Sequence, residues 1–202
     1  MSQTLLPAAH NALRENPRTF AIPMIFFLFV VVCGKAWALD EFQGIQCGTD
    51  IPKSLIGKRA SQGPTAALEE RHKDLQLKDL GGTEISDRLF LASWQICGSE
   101  YELLVNTKTQ VIRDVLAFPP HSKASPMYIG KCKAGEKEIP ETMVAVLDNS
   151  AGYDARDKKL AGNMLKATAA WKIDETKAKF TPQPADNLQC PLSGIVTADG
   201  GP

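Results

Sequence analysis

The sequence predicts an α+β domain that is mostly β, with a twisted antiparallel sheet, one short helix and two disulfides, behind an N-terminal signal peptide. Three observations indicate this. Residues 89–118 contain three runs rich in β-branched, aromatic and other apolar side chains, separated by short turns. Residues 20–34 form an uncharged apolar run behind positive charges, and four cysteines follow further along the chain.

Residues 1–38 have the parts of an export signal. Two arginines precede the apolar run at residues 20–34, and Ala36-Trp37-Ala38 matches the small-x-small pattern at which signal peptidase cleaves. The run has 15 residues, whereas a helix that spans a bilayer needs about 20. We therefore expect cleavage between Ala38 and Leu39. The alternative is an uncleaved signal anchor, in which residues 20–34 stay in the membrane.

Cleavage would leave residues 39–202 as a single exported globular domain of 164 residues, which is long enough for its own core. The leader carries three basic and one acidic side chain of the 23 of each, so the mature net charge is −2 with neutral histidines. A nucleic-acid-binding surface needs a concentrated basic excess. We therefore expect no nucleic acid among the partners, and a membrane only if the leader is uncleaved.

The expected mature chain contains four cysteines, Cys47, Cys97, Cys132 and Cys190. An even number in an exported chain favours two disulfides, and an extracytoplasmic location that is either periplasmic or secreted. No Cys-x-x-Cys occurs, so the sequence supports neither a redox motif nor a zinc knuckle. Three pairings are possible. We favour Cys47 with Cys97 and Cys132 with Cys190.

The first elements of the domain are predicted from short local patterns. Residues 42–47 are expected to form a short strand, and residues 50–63, with their proline and glycines, a loop. Pro64 introduces a run of good helix formers, which predicts a helix over residues 64–74. The polar stretch with Gly81-Gly82 is expected to end this segment.

Residues 89–118 form the centre of the predicted sheet, with strands at 89–97, 101–105 and 111–118. In the first strand Phe90, Trp94 and Ile96 share one face, while Leu89, Leu91 and Cys97 share the other, so both faces are expected to be buried. Gly98 and the polar residues 106–109 supply the turns, and two prolines end the unit.

Further strands are predicted at residues 127–132, 143–147 and 166–174, with an exposed loop at 152–162. Ala167, Ala169, Trp171 and Ile173 lie at strand spacing and are expected on one face, with Phe180 pairing back. Trp94 and Trp171 are assigned to the core rather than to ligand stacking, because aromatic rings dominate buried area. From about residue 182 the proline-rich tail is expected to be irregular.

No residue is predicted to be catalytic, to bind a cofactor or to hold a metal. The expected mature chain has two histidines, His72 and His121, and lacks the Gly-x-Ser-x-Gly, calcium-loop and phosphate-loop patterns. We therefore expect a non-enzymatic extracytoplasmic binding or inhibitor module, whose partner is a protein or a small ligand. One alternative is a hydrolase assembled from distant residues, with His121 as leading participant. Another is a membrane-anchored structural protein, which requires the leader to persist.

Overall fold

The structure is a computed structural model that describes residues 40–196, except residues 62, 155, 158 and 161. The expected signal peptide, its cleavage site between Ala38 and Leu39 and the alternative anchor at residues 20–34 lie outside the described residues. Within the described part of the chain, no helix has the length and apolar character to cross a membrane.

Antiparallel strands are the main regular structure of the described chain, which confirms the predicted mostly β class. The first sheet is a meander in the order β1-β2-β3-β4, formed by β1 (Lys78–Ser86), β2 (Leu89–Ile96), β3 (Ser99–Asn106) and β4 (Ile112–Phe118). The second sheet has the order β5-β8-β9-β11-β6-β7, and β10 also pairs with β9. Its strands are β5 (Met127–Gly130), β6 (Lys133–Ala134), β7 (Lys137–Glu138), β8 (Met143–Leu147), β9 (Met164–Asp174), β10 (Lys179–Pro182) and β11 (Leu188–Pro191).

Two short α-helices, α1 (Ile51–Leu55) and α2 (Thr65–Arg71), precede the first sheet, and two 3-10 turns occupy Lys73–Leu75 and Leu192–Gly194. The helix α2 lies where the sequence predicts one. The helix α1 falls in the predicted loop, and its signals are local: Pro52 stands in the first turn, and the Asp50 carboxylate accepts a hydrogen bond from the Lys53 amide at 3.1 Å.

The central strands β2 and β3 of the first sheet are buried on both faces, as predicted for the first of them, although Phe90 at the start of β2 is exposed. On one face, Trp94, Ile96 and Leu103 pack against the N-terminal segment and the helices. On the other face, Leu89, Leu91 and Leu104 pack against the second sheet. The domain therefore has three layers, with the first sheet in the middle. Its inner face is the one toward the second sheet, and a polar side chain on that face is removed from water.

Several local predictions are wrong for identifiable reasons. Residues 42–47 form turns rather than a strand, because Gly44 adopts a φ of 80° and the chain folds back to bury Phe42 and Ile45. The strand β1 was not predicted, because Gly81-Gly82 interrupts its pattern. A Cβ atom at Gly82 would overlap the Phe90 ring, so the glycine makes room for the aromatic side chain of the neighbouring strand.

The strand β9 carries a bulge where it pairs with β8, between the Val146 and Leu147 positions. Because the bulge adds one residue, Ala167 faces the outer core of the second sheet, while Ala169, Trp171 and Ile173 face the first sheet. The four side chains therefore do not share the one face that the spacing predicts. The segment after Pro182 is also more regular than expected, since β11 pairs with both β9 and β6.

Both disulfides of the preferred pairing are present, Cys47–Cys97 at an S–S distance of 2.01 Å and Cys132–Cys190 at 2.02 Å. The first joins the N-terminal segment to the β2–β3 hairpin, and the second joins the β5–β6 connection to β11. Cys47 is exposed, whereas Cys132 and Cys190 are fully buried.

The ring of Tyr128 occupies the outer core of the second sheet and lies against two glycines. A Cβ atom at Gly130 would be 2.6 Å from the Tyr128 hydroxyl oxygen, and a Cβ atom at Gly194 would overlap the other edge of the ring. The hydroxyl donates a hydrogen bond to the Lys131 carbonyl at 2.6 Å.

Candidate functional site

Two groups of charged side chains in the described chain are candidate sites. The first, here called the arginine cavity, is an open cavity of about 430 Å³ beside the N-terminal segment. The second, here called the carboxyl cluster, consists of Ser93, Glu100, Glu102 and His121 at the interface between the two sheets.

The arginine cavity is formed by the start of the described chain, the loop between the helices, the helix α2 and the β3–β4 turn. Its lining residues are Asp40, Arg59, Ala60, Ser61, Gly63, Pro64, Ala67, Leu68, Arg71 and Gln110. The volume falls in the range of about 300–1,000 Å³ that small-molecule sites occupy.

Hydrogen bonds hold the Arg59 wall of the cavity against the β3–β4 turn. Arg59 forms an antiparallel bridge with Val111, and its Nε donates to the Thr109 carbonyl at 3.2 Å. The Ala60 amide donates to the Gln110 carbonyl at 2.7 Å. These contacts fix the stem of Arg59. Among the described residues, the two terminal nitrogens of its guanidinium make no hydrogen bond, so they can donate to a ligand.

The opposite wall is built on Asp40, whose side chain is only 4% exposed. Arg71 Nη1 lies 2.5 Å from Asp40 Oδ2, and His72 Nε2 lies 2.8 Å from Asp40 Oδ1. The Phe42 amide also donates to Asp40 Oδ1, at 3.0 Å. Burial by itself raises the pKa of Asp40, but the hydrogen bonds from His72 and Arg71 outweigh it and leave the pKa below its usual value of 3.8.

The charge of the cavity is positive. Its lining has two guanidinium groups, from Arg59 and Arg71, and one carboxylate, Asp40, which is already bound by Arg71 and His72. The neighbouring Glu41 carboxylate is turned to the loop, where it accepts hydrogen bonds from the Ser61 amide at 2.9 Å and the Ser61 hydroxyl at 2.6 Å. The side chain of Arg71 remains 39% exposed, so part of its guanidinium can reach a ligand.

The carboxyl cluster lies on the inner face of the first sheet. Glu102 is fully buried in β3, and its Oε2 accepts a hydrogen bond from the Ser93 hydroxyl of β2 at 2.6 Å. Its other oxygen, Oε1, has no hydrogen-bond partner among the described atoms. His121 follows β4, and its Nδ1 lies 3.3 Å from Glu100 Oε2. Burial raises the pKa of Glu102 to about 8.

The histidines that the sequence singles out have carboxylate partners. His72 contacts Asp40, and His121 contacts Glu100. The Ser93 hydroxyl is bound to Glu102 rather than to a histidine, so Ser93 and His121 do not form the serine–histidine pair of a hydrolase. No group of three or more histidine, cysteine, aspartate or glutamate side chains in the described part of the chain is arranged to hold a metal ion.

The two tryptophans differ in environment. Trp94 is buried and meets the Phe42 ring edge to face, with centroids 4.9 Å apart, so it is a core residue as expected. Trp171 is half-buried at the sheet interface, where its ring centroid is 5.9 Å from that of Phe118.

Sequence reasoning missed the arginines of the cavity and both glutamates of the carboxyl cluster. Arg59 and Arg71 are brought together by loop geometry, for which a single sequence has no signal. For Glu102, by contrast, the sequence did contain a signal. Its strand lies between β2, whose two faces are both apolar, and β4, so side chains on both of its faces are expected to be covered.

Comparison with known proteins finds no match. Neither a protein-family model, nor a curated protein, nor a solved structure is similar to this chain. The function is therefore inferred from the charge and shape of the two sites.

Proposed function

We propose that the protein is a binding module outside the cytoplasm that takes a small anionic ligand in the arginine cavity. The chemical class is a small molecule with a carboxylate or phosphate group, which a cavity of about 430 Å³ can hold. The observation that carries the proposal is the pair of guanidinium groups facing one cavity, against a single carboxylate that is already bound.

Arginine suits this role better than lysine. Its planar guanidinium can donate two parallel hydrogen bonds to a carboxylate or phosphate, and it stays charged at every ordinary pH. In Arg59 the bond from Nε to the Thr109 carbonyl fixes the side chain, which lowers the entropy that ligand binding has to offset.

The expected compartment is consistent with such a module. Two disulfides indicate an oxidising, extracytoplasmic environment. We propose the periplasm or the extracellular medium as its location, with the membrane-anchored form as the alternative if the leader at residues 20–34 persists.

A hydrolase acting through His121 is the second candidate, and the contact between His121 and Glu100 favours it.

Calorimetric titration of the full chain with inorganic phosphate, succinate and acetate tests the anion site. We expect at least one of them to bind, and Arg59→Gln to weaken that binding about tenfold or more, because a charge-assisted hydrogen bond contributes about 1.5–3 kcal/mol. Arg59 is the better site for substitution, because Arg71 also holds the buried Asp40.

Arg156→Gln is the matched control, since Arg156 is exposed and does not line the cavity. The control should bind the same anion as tightly as the wild type. No heat with any of the three anions, or an equal loss in both variants, would contradict the proposal. Hydrolysis of ester substrates that His121→Ala abolishes would support the second candidate instead.

A further inference from the structure

One buried oxygen is left without a partner in the carboxyl cluster. Glu102 is 0% exposed, and its Oε1 has no hydrogen-bond partner among the described atoms. Its Oε2 is already used by the Ser93 hydroxyl at 2.6 Å. An ionised carboxylate in this position would carry a full charge with one hydrogen bond, which is strongly unfavourable in a buried interface.

A proton on Glu102 removes this difficulty. Glu100 and Glu102 are two residues apart in β3, so their side chains point to the same face, with Cα atoms about 7 Å apart. A protonated Oε1 becomes a donor, and the Glu100 carboxylate is an acceptor within reach of it. The remaining negative charge then lies on Glu100, whose side chain is 18% exposed and next to His121 Nδ1 at 3.3 Å.

We propose that the carboxyl cluster is a proton-binding site, in which Glu102 and Glu100 hold one proton between them. Glu102 carries the neutral carboxyl group, and Ser93 donates to its Oε2. His121 lies against the Glu100 carboxylate, which is the partly exposed end of the cluster. The bound species is a proton, and its release would place two negative charges at the interface between the two sheets.

The side chains that face the cluster leave Glu102 without a compensating cation. In the first sheet, Leu116 of β4 pairs with Glu102, and the Asp114 carboxylate accepts a hydrogen bond from the Phe180 amide at 2.8 Å. Lys78 of β1 shares a cross-strand row with Glu100, but Gln95 of β2 stands between them, which places Lys78 about 10 Å away.

The second sheet presents apolar side chains to this interface, from Val144, Val146, Trp171 and Ile173. Its ion pair between Lys172 and Glu141 belongs to a residue that alternates with Trp171 and so points to the other face. Among the described residues, no ion pair includes Glu102. A proton is therefore what can neutralise Glu102.

The pH range of the site follows from the surroundings of Glu102. Burial, the largest cause, raises its pKa, the hydrogen bond from Ser93 lowers it, and the neighbouring Glu100 raises it, so that the resulting pKa is about 8. The proton is therefore held at neutral pH and released as the pH rises through about 8. Phe118 links the cluster to the second sheet, because its ring contacts both His121 and Trp171 at centroid distances of 5.6 and 5.9 Å.

Infrared spectroscopy of the full chain in D₂O detects the proton directly, through the carbonyl stretch of a protonated carboxylic acid at neutral pH. We expect this band in the wild type at pH 6.5 and its loss above a midpoint near 8. Glu102→Gln keeps the shape and both hydrogen bonds of the neutral carboxyl, and it should lose the band. Glu84→Gln, at an exposed position of β1, is the control and should keep it.

Glu100→Gln distinguishes a shared proton from an isolated buried acid. Because Glu100 raises the pKa of Glu102, this variant should keep the band and shift its midpoint to lower pH. A wild type without the band at pH 6.5, or a band that survives in Glu102→Gln, would overturn the proposal. An unchanged midpoint in Glu100→Gln would overturn the proposal that Glu100 and Glu102 share the proton. Fluorescence of Trp171 in a Trp37→Phe/Trp94→Phe background should change with the same midpoint as the infrared band.

Discussion

At the scale of single residues, the two buried acids Asp40 and Glu102 show that burial alone does not set the sign of a pKa shift. Asp40 lies beside Arg71 and His72, and its pKa is lowered. Glu102 lies beside a hydroxyl and a second carboxyl group, and its pKa is raised to about 8. One acid is therefore stabilising when charged, and the other when neutral.

Because the pKa of Asp40 is lowered and that of Glu102 is raised, we expect the two acids to reduce the stability of the fold at opposite ends of the pH scale. The lowered pKa of Asp40 contributes stability that is present above pH 3.8 and is lost as the pH falls through the folded-state value. The raised pKa of Glu102 contributes stability that is full below pH 4.5 and is lost as the pH rises to about 8. Urea denaturation at a series of pH values measures both. Asp40→Asn should flatten the acid side, and Glu102→Gln the alkaline side by a few kcal/mol, as the size of its shift implies.

Asp186→Asn is the control for Asp40, because Asp186 is exposed. It should reproduce the wild-type profile on both sides. An acid slope that is the same in Asp40→Asn and in the wild type would mean that the ion pair with Arg71 contributes nothing to stability.

At the scale of elements, the strands with strong apolar patterns were predictable, and the elements set by tertiary context were not. The central strands β2, β3 and β4 and the strands β8 and β9 lie where β-branched and aromatic side chains cluster. The strand β1 is set by its neighbour, since Gly82 forms strand structure under the ring of Phe90. Glu102 alternates with the apolar residues Tyr101, Leu103 and Val105 along β3, and the second sheet covers the face on which it lies.

The candidate sites were less predictable than the fold. His121 was singled out, and its carboxylate partner Glu100 lies in a strand that pairs with the strand preceding His121. The arginine cavity depends on loops and on the fold of the N-terminal segment, where local pattern carries no information about which distant side chains meet. The four cysteines were readable because export and an even number together favour pairing.

The disulfide of β11 allows an element-scale prediction. Leu188, Cys190 and Leu192 are buried, and β11 pairs with two other strands, so the C-terminal segment is held by packing as well as by its bridge. A Cys132→Ser/Cys190→Ser variant should lose about 2–5 kcal/mol of stability and become sensitive to protease after Pro182. Residues 89–118 should stay protected, which limited proteolysis with mass spectrometry measures.

The matched control is Cys47→Ser/Cys97→Ser, which removes the other bridge. Its early cleavage sites should fall in the N-terminal segment before α2, because Cys47 belongs to that segment. First cleavage within residues 89–118 in either variant would contradict this assignment of the bridges to the two ends of the chain.

At the scale of the whole molecule, each disulfide secures one end of the described part of the chain to its own sheet. Cys47 ties the N-terminal segment to the first sheet, and Cys190 ties the last strand to the connection after β5. The segment that starts at Asp40 also forms one wall of the arginine cavity. Oxidation in the right compartment is thus linked to the shape of the proposed binding site.

Export makes a prediction for the complete protein isolated from its native compartment. N-terminal sequencing should begin at Leu39, because Ala36-Trp37-Ala38 matches the signal peptidase pattern. Non-reducing mass spectrometry should find no free thiol, since the four remaining cysteines are paired. An intact leader in the membrane fraction would favour the anchored form, and four alkylatable thiols would contradict export into an oxidising compartment.

The contact of Tyr128 with Gly130 and Gly194 has a consequence for how the sequence can change over time. Neither glycine can gain a side chain while the tyrosine ring occupies the space between them. A smaller side chain at position 128 would open room for alanine at position 194. If Gly194 were replaced by alanine first, the new Cβ atom would clash with the Tyr128 ring. Substitutions at these positions are therefore expected to be epistatic, with the ring changing first and the glycine at position 194 afterwards.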